Sequence, residues 1–102
     1  KDYLNFAKDI LRKVKHKSIS FEVLSDEIEE MYEQAIILRD LGDNVSVKIP
    51  VTNTKGVPTY SLVEKLSNEG VKLNVTAVFT KPQIQNIYDV LNPEVNSIIS
   101  IF

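Results

Sequence analysis

The sequence contains no cysteine. That excludes a disulfide scaffold, a thiol nucleophile and a thiolate metal site, and it is compatible with a reducing compartment. A single histidine, His16, cannot build a histidine-based metal site. Three glycines are too few for a glycine-rich phosphate loop. No apolar run approaches the roughly 18 residues of a membrane span, and the first residues carry no signal-peptide pattern. There is no basic excess either: 12 Lys and Arg against 14 Asp and Glu give a net charge of −2, which excludes a strongly basic surface built for nucleic acid. The expectation is therefore a protein with no nucleic-acid partner, no membrane, no metal and no cofactor, with the cytoplasm as its default location.

What is present is one small domain's worth of chain, 102 residues with 43% hydrophobic and 25% charged side chains, the composition of a folded protein rather than a disordered one. Charge is uneven: residues 1–17 carry six Lys or Arg against Asp2 and Asp9, and residues 22–43 carry eight acids against Arg39. Two solvated helix faces of opposite sign account for this. His16, between Lys15 and Lys17 at a helix end, reads as surface.

Helical and strand periods alternate along the chain. Tyr3, Ala7, Ile10, Leu11 and Val14 predict a helix over 2–15. Residues 18–24 alternate as a strand. Asp26 with Glu29 marks a helix start; Ile28, Met31, Tyr32, Ala35 and Leu38 form its stripe, and Gly42 its stop. Residues 44–50 form a second strand ended by Pro50, and a polar loop runs from Thr52 to Gly56. A helix over 59–68 turns Leu62, Val63 and Leu66 inward and ends at Gly70. Residues 72–79 are a third strand. Thr80 and Gln83 make a capping box, with Pro82 in the first turn of a helix running to about Leu91. Asn92 and Pro93 break it, and 97–102 is a last strand. Repeated strand–helix units predict a parallel sheet covered by helices. An open flavodoxin-like sheet would satisfy that pattern; about four units of an eight-stranded barrel fit it better, because of a polar row.

Each strand places its apolar set at odd numbers (Phe21, Val47, Val75, Ile99) and its polar set at even numbers. On this alternation Leu73, Val75, Ala77 and Phe79 share the apolar face of the third strand, opposite Asn74, Thr76 and Val78. Glu22, Lys48, Asn74 and Ser100 recur at intervals of 26 residues. One unit per interval puts them side by side on one face at similar heights. Parallel sheets usually bury both faces, and polar groups there are costly without a purpose. In barrels, polar residues near the C-terminal strand ends mark an active site. A lysine withdrawn from water loses its proton more readily, and the neutral amine attacks a carbonyl to give a Schiff base. Glu22 is placed to move protons through a water. Asn74 and Thr76 suit the hydroxyls of a polyol. This chemistry needs neither metal nor cofactor. The competing reading is a non-catalytic, flavodoxin-like binding domain, which a solvent-exposed or edge Lys48 would favour.

The stretch Val45-Ser46-Val47-Lys48-Ile49-Pro50-Val51-Thr52 resembles the strand-four motif of the transaldolase family, and Leu73-Asn74-Val75-Thr76-Ala77-Val78-Phe79 its strand-five motif. Ser20-Phe21-Glu22-Val23 resembles strand three, and Ser100-Ile101-Phe102 the start of strand six, where the family reads Ser-Pro-Phe. The resemblance implies an α/β fold, strands three to six of a TIM (β/α)8 barrel, with residues 1–102 one partial domain truncated at both ends. It implies a transferase that moves a dihydroxyacetone unit between sugar phosphates in the pentose phosphate pathway. In that scheme Lys48 forms the Schiff base and Glu22 shuttles protons. Thr76 and Asn74 position water and substrate, and Ser100 and Phe102 contact the substrate. A homo-oligomer of the intact enzyme is compatible with it. The related fructose-6-phosphate aldolases carry Gln at the Glu22 position and Tyr at the Phe102 position, so the residues here resemble the transferase more than the lyase. The family's strand-one aspartate and the arginine beyond strand six have no counterpart within the 102 residues, so this stretch alone is expected to be inactive.

Overall fold

The computed structural model describes residues 2–14 and 17–101; His16 and Phe102 lie outside them. Helix α1 (Asp2–Lys13) is followed by strand β1 (Ile19–Glu22), helix α2 (Ile28–Arg39), β2 (Val45–Pro50), α3 (Tyr60–Asn68), β3 (Leu73–Val78), α4 (Lys81–Val90) and β4 (Ile98–Ile101). The four strands form one sheet in the order β1-β2-β3-β4, and every pairing is parallel. An open doubly wound sheet reverses its strand order and carries helices on both faces. Here the order never reverses, crossovers of one hand put the helices on one side, and α3 packs on both α2 and α4. The flavodoxin-like alternative is thereby set aside: this is the strand order and layering of part of a TIM barrel.

The core lies between that helical layer and the odd-numbered face of the sheet. Val45, Val47, Ile49, Leu73 and Val75 meet Met31, Ala35, Leu38, Leu62, Val63, Leu66 and Ile87, all buried. Burying each large aliphatic side chain is worth about 1.5–3 kcal/mol before entropy. Tyr3 of α1 meets Phe21 edge to face, ring centroids 6.3 Å apart. At the end of α3, Gly70 takes φ +85°, and Val71 N–H closes back on the Leu66 carbonyl at 3.0 Å, a left-handed stop that glycine adopts at least cost. The Thr80–Gln83 capping box opens α4 as expected, with Gln83 N–H donating to Thr80 Oγ1 and Thr80 N–H to Gln83 Oε1.

Two details differ from the periodic reading. Asp26 does not cap α2: the N-cap is Glu27, with no side-chain cap bond, and Asp26 is engaged elsewhere. In β3 the alternation breaks at Ala77, whose φ is +60°, within a register irregularity between Val75 and Val78. The extra residue of this bulge turns Val78 into the core, fully buried, and leaves Phe79 65% exposed.

Candidate active site

Glu22 pairs with Lys48, and Lys48 with Asn74, as Cα partners across β1, β2 and β3. At the roughly 4.8 Å spacing of neighbouring strands, three of the four members of the polar row stand abreast on the face the helices leave bare. Thr76, two residues on, lies opposite Pro50 on that same face. The fourth member is displaced. Asn74 is level with Ile98, not Ser100, because this crossover is two residues shorter in register than the other two. Two is an even number, so Ser100 keeps its face, and its Oγ donates to Asn74 Oδ1 at 2.8 Å. That bond fixes which end of the amide faces β4. Phe102 is outside the described residues.

The row is less buried than the sequence suggests. Lys48, Asn74, Thr76 and Ser100 are half-buried and Glu22 is exposed, while Ser46 lower on the same face is buried. Their backbones are nonetheless held by fully buried neighbours, Val47 and Ile49 beside Lys48 and Val75 beside Asn74. Among the described residues no group of three or more His, Cys, Asp or Glu side chains could hold a metal ion. No described helix is long and apolar enough to cross a membrane.

Two features of the site carried no recognisable signal in the sequence. The first is at Glu22, whose backbone groups point to the outer edge of β1. The Tyr3 hydroxyl accepts from Glu22 N–H and donates to the Glu22 carbonyl, both at 2.9 Å. Burial raises the Tyr3 pKa above the ordinary phenol value, the nearby Glu22 charge adds to this, and the backbone bond partly offsets it.

The second is at the C-terminal ends of β1 and β2. Asp26, in the loop after β1, accepts from Thr54 N–H and from Thr54 Oγ1, each at 2.7 Å. Asn53 Nδ2 donates to the Asp26 carbonyl at 3.1 Å. The two bonds from Thr54, backbone amide first and hydroxyl second, hold the Asp26 carboxyl below the ordinary aspartate value, with Lys55 adding a smaller pull. The two loops so joined enclose a cleft lined by Glu22, Ser25, Pro50, Thr52 and Asn53.

Consecutive parallel strands and one helical layer together define a segment of a TIM barrel, in which the polar row faces the barrel interior. The chain belongs to the transaldolase/fructose-6-phosphate aldolase family, whose family model matches residues 3–102. It is similar to a probable transaldolase of Sulfurihydrogenibium sp. (strain YO3AOP1), 40% identical over 83 residues that make up 81% of this chain and 36% of that protein. A probable transaldolase of Maridesulfovibrio salexigens is 46% identical over 65 residues, 64% of this chain and 28% of that protein. One from Thermoplasma volcanium is 39% identical over 83 residues, 81% and 35% of the two chains. The chain thus spans about a third of the length of the curated relatives it matches.

Proposed function

We propose that this chain supplies strands three to six of a transaldolase-type barrel that transfers a dihydroxyacetone unit between sugar phosphates through a Schiff base on Lys48. The observation that carries the reading is the level row of Glu22, Lys48 and Asn74 on the bare face, in the order of the family's motifs. The Lys48 amine adds to the ketose carbonyl, and loss of water from the carbinolamine gives the iminium. Transfer of the C4 hydroxyl proton to a base outside these residues, the place of the family's strand-one aspartate, lets the C3–C4 bond break, releasing an aldose phosphate and leaving the electron pair in a three-carbon enamine on Lys48. The enamine adds to an acceptor aldehyde, and water then frees Lys48. Glu22 serves the proton transfers of dehydration and hydrolysis through a water. Thr76 positions that water. Asn74, oriented by Ser100, holds substrate hydroxyls, and the substrate-binding role extends to Ser100 and Phe102. The steps call for no cofactor.

In this reading residues 1–102 are one partial barrel domain, and activity belongs to a chain as long as the relatives. Such an enzyme serves the pentose phosphate pathway in the cytoplasm. The family's description also names fructose-6-phosphate aldolase, so the lyase is the second reading; turnover with and without an acceptor aldose phosphate separates the two.

The test is Schiff-base trapping on the chain extended to the length of its relatives. Fructose 6-phosphate is added, borohydride reduces the iminium, and the adduct is mapped by peptide mass. A three-carbon adduct on Lys48, absent in Lys48→Arg, is the expected result. A folded, extended protein that yields no adduct would overturn the assignment.

A further inference from the structure

We propose that Asp26 is a positioning residue for the Lys48 chemistry: by gripping Thr54 it locks the loop after β2 to the loop after β1 and so sets where Glu22 and Lys48 stand relative to each other. The inference rests on the Lys48 reading above and adds a residue to it.

Each loop is already stiff by itself. After β1, Gln34 Oε1 of α2 accepts from Leu24 N–H at 2.7 Å and Ser25 N–H at 3.0 Å. After β2, Asn53 Oδ1 accepts from Lys55 N–H at 3.0 Å and Val57 N–H at 2.9 Å. The buried Thr59 hydroxyl closes the base of that loop with contacts to the Pro50 and Val51 carbonyls, at 2.6 and 3.0 Å. Two preformed units therefore meet, and what joins them is Asp26. Both of its carboxylate oxygens go to one residue, Thr54, and its carbonyl takes Asn53. The carboxylate is free to do this because it caps no helix.

The leverage is short on both sides. Asp26 lies four residues beyond Glu22, and Thr54 six beyond Lys48. Loop-to-loop slack would pass into the ends of β1 and β2, where the proposed proton shuttle and nucleophile stand as partners. A displacement of about 1 Å between reacting groups can cost on the order of 100-fold in rate. The same lock holds Thr52 and Asn53 as one wall of the cleft that opens on Glu22.

The chemistry of the grip selects its variants. In Asp26→Asn the amide oxygen still accepts Thr54 N–H, and the amide nitrogen donates to Thr54 Oγ1, which can accept as well as donate. Asp26→Ala has neither bond. Thr54→Val keeps the backbone bond and loses the hydroxyl.

The experiment measures the rate of borohydride-trapped adduct formation from fructose 6-phosphate, with kcat and KM, in the extended chain carrying each variant. Circular dichroism gives the folded fraction of each. For Asp26→Ala we expect a loss of about 10- to 100-fold in trapping rate and in kcat, with KM changed little. Asp26→Asn should recover to within a few-fold of the unsubstituted protein, and Thr54→Val should fall between. Folded Asp26→Ala at the unsubstituted rate overturns the inference, as does a folded Asp26→Asn as slow as Asp26→Ala. So does a loss that merely tracks the unfolded fraction. If Asp26→Ala fails to fold, Thr54→Val decides: the unsubstituted rate in that variant overturns the proposal, and a slowed rate supports it. Absence of any adduct in the unsubstituted protein removes the Lys48 reading itself; an adduct there, unaffected by the loop variants, removes only the role of Asp26.

Discussion

Asp26 is read from sequence as a helix start, because an acid three residues before a glutamate is the usual sign of one. A tertiary partner, Thr54, takes the carboxylate instead, and nothing local to residue 26 signals a residue 28 positions away. The consequence is a pH dependence. The folded-state pKa of Asp26 is depressed, so the grip stabilises the protein above the unfolded aspartate value of about 4 and is lost as pH falls through the folded value. Unfolding by urea at pH 7 and at a series of values below about 4 should show Asp26→Asn less stable than the unsubstituted protein at neutral pH. The gap should close progressively on acidification. An equal gap at all pH values would mean that charge plays no part in the contact. Lys48, Glu22 and Asn74 were legible for a different reason: strand alternation is a property of the backbone, and the first two crossovers share an offset of 26 residues, so these side chains come to one face and one level.

At the level of elements, the strands and helices follow their periodicities closely, and the misreading of the end of β3 has a local source. A bulge adds a residue to one strand, and every side chain beyond it changes face. Such bulges are recognisable when the residue at positive φ is glycine; here it is Ala77 at φ +60°, so alternation predicts Phe79 inside and Val78 outside, the reverse of what is found. The left-handed region costs a non-glycine residue about 1–2 kcal/mol, against about 0.4–1 kcal/mol for the extra freedom that glycine gives the unfolded chain. Ala77→Gly should therefore stabilise the protein by about 0.5–1 kcal/mol, read as a higher urea midpoint at unchanged m-value. A lower midpoint would mean that the Ala77 methyl contributes packing that outweighs its backbone cost. The displaced level of Ser100 is also an element-scale effect: sequence spacing counts residues, and register depends on how many of them the crossover consumes.

For the molecule as a whole, one face of the sheet is covered and one is not. The radius of gyration, 13.1 Å, is that of a compact chain of this length, so the uncovered face does not come from an open or extended shape. Four strands in barrel order leave β4 without a further neighbour among the described residues, and Ile98 and Ile101 on it are more than half exposed. Unpaired strand edges with apolar side chains template pairing between chains. The 102-residue chain by itself should self-associate, its weight-average mass in sedimentation velocity rising with concentration. A version extended to the length of the relatives should show less of this. A 102-residue chain that stays monomeric at high concentration would contradict the partial-barrel reading of the domain.

The Tyr3 phenol on the outer edge of β1 gives that edge a different character from β4. The hydroxyl occupies both the donor and the acceptor of Glu22, which are the groups a strand arriving there would claim. Docking of such a strand is then an exchange: two hydrogen bonds to a side chain are surrendered and two to a backbone are gained, nearly even in energy. The net drive has to come from apolar surface. Tyr3 thus stands on that edge as an internal substitute for a neighbouring strand, filling both backbone groups of Glu22.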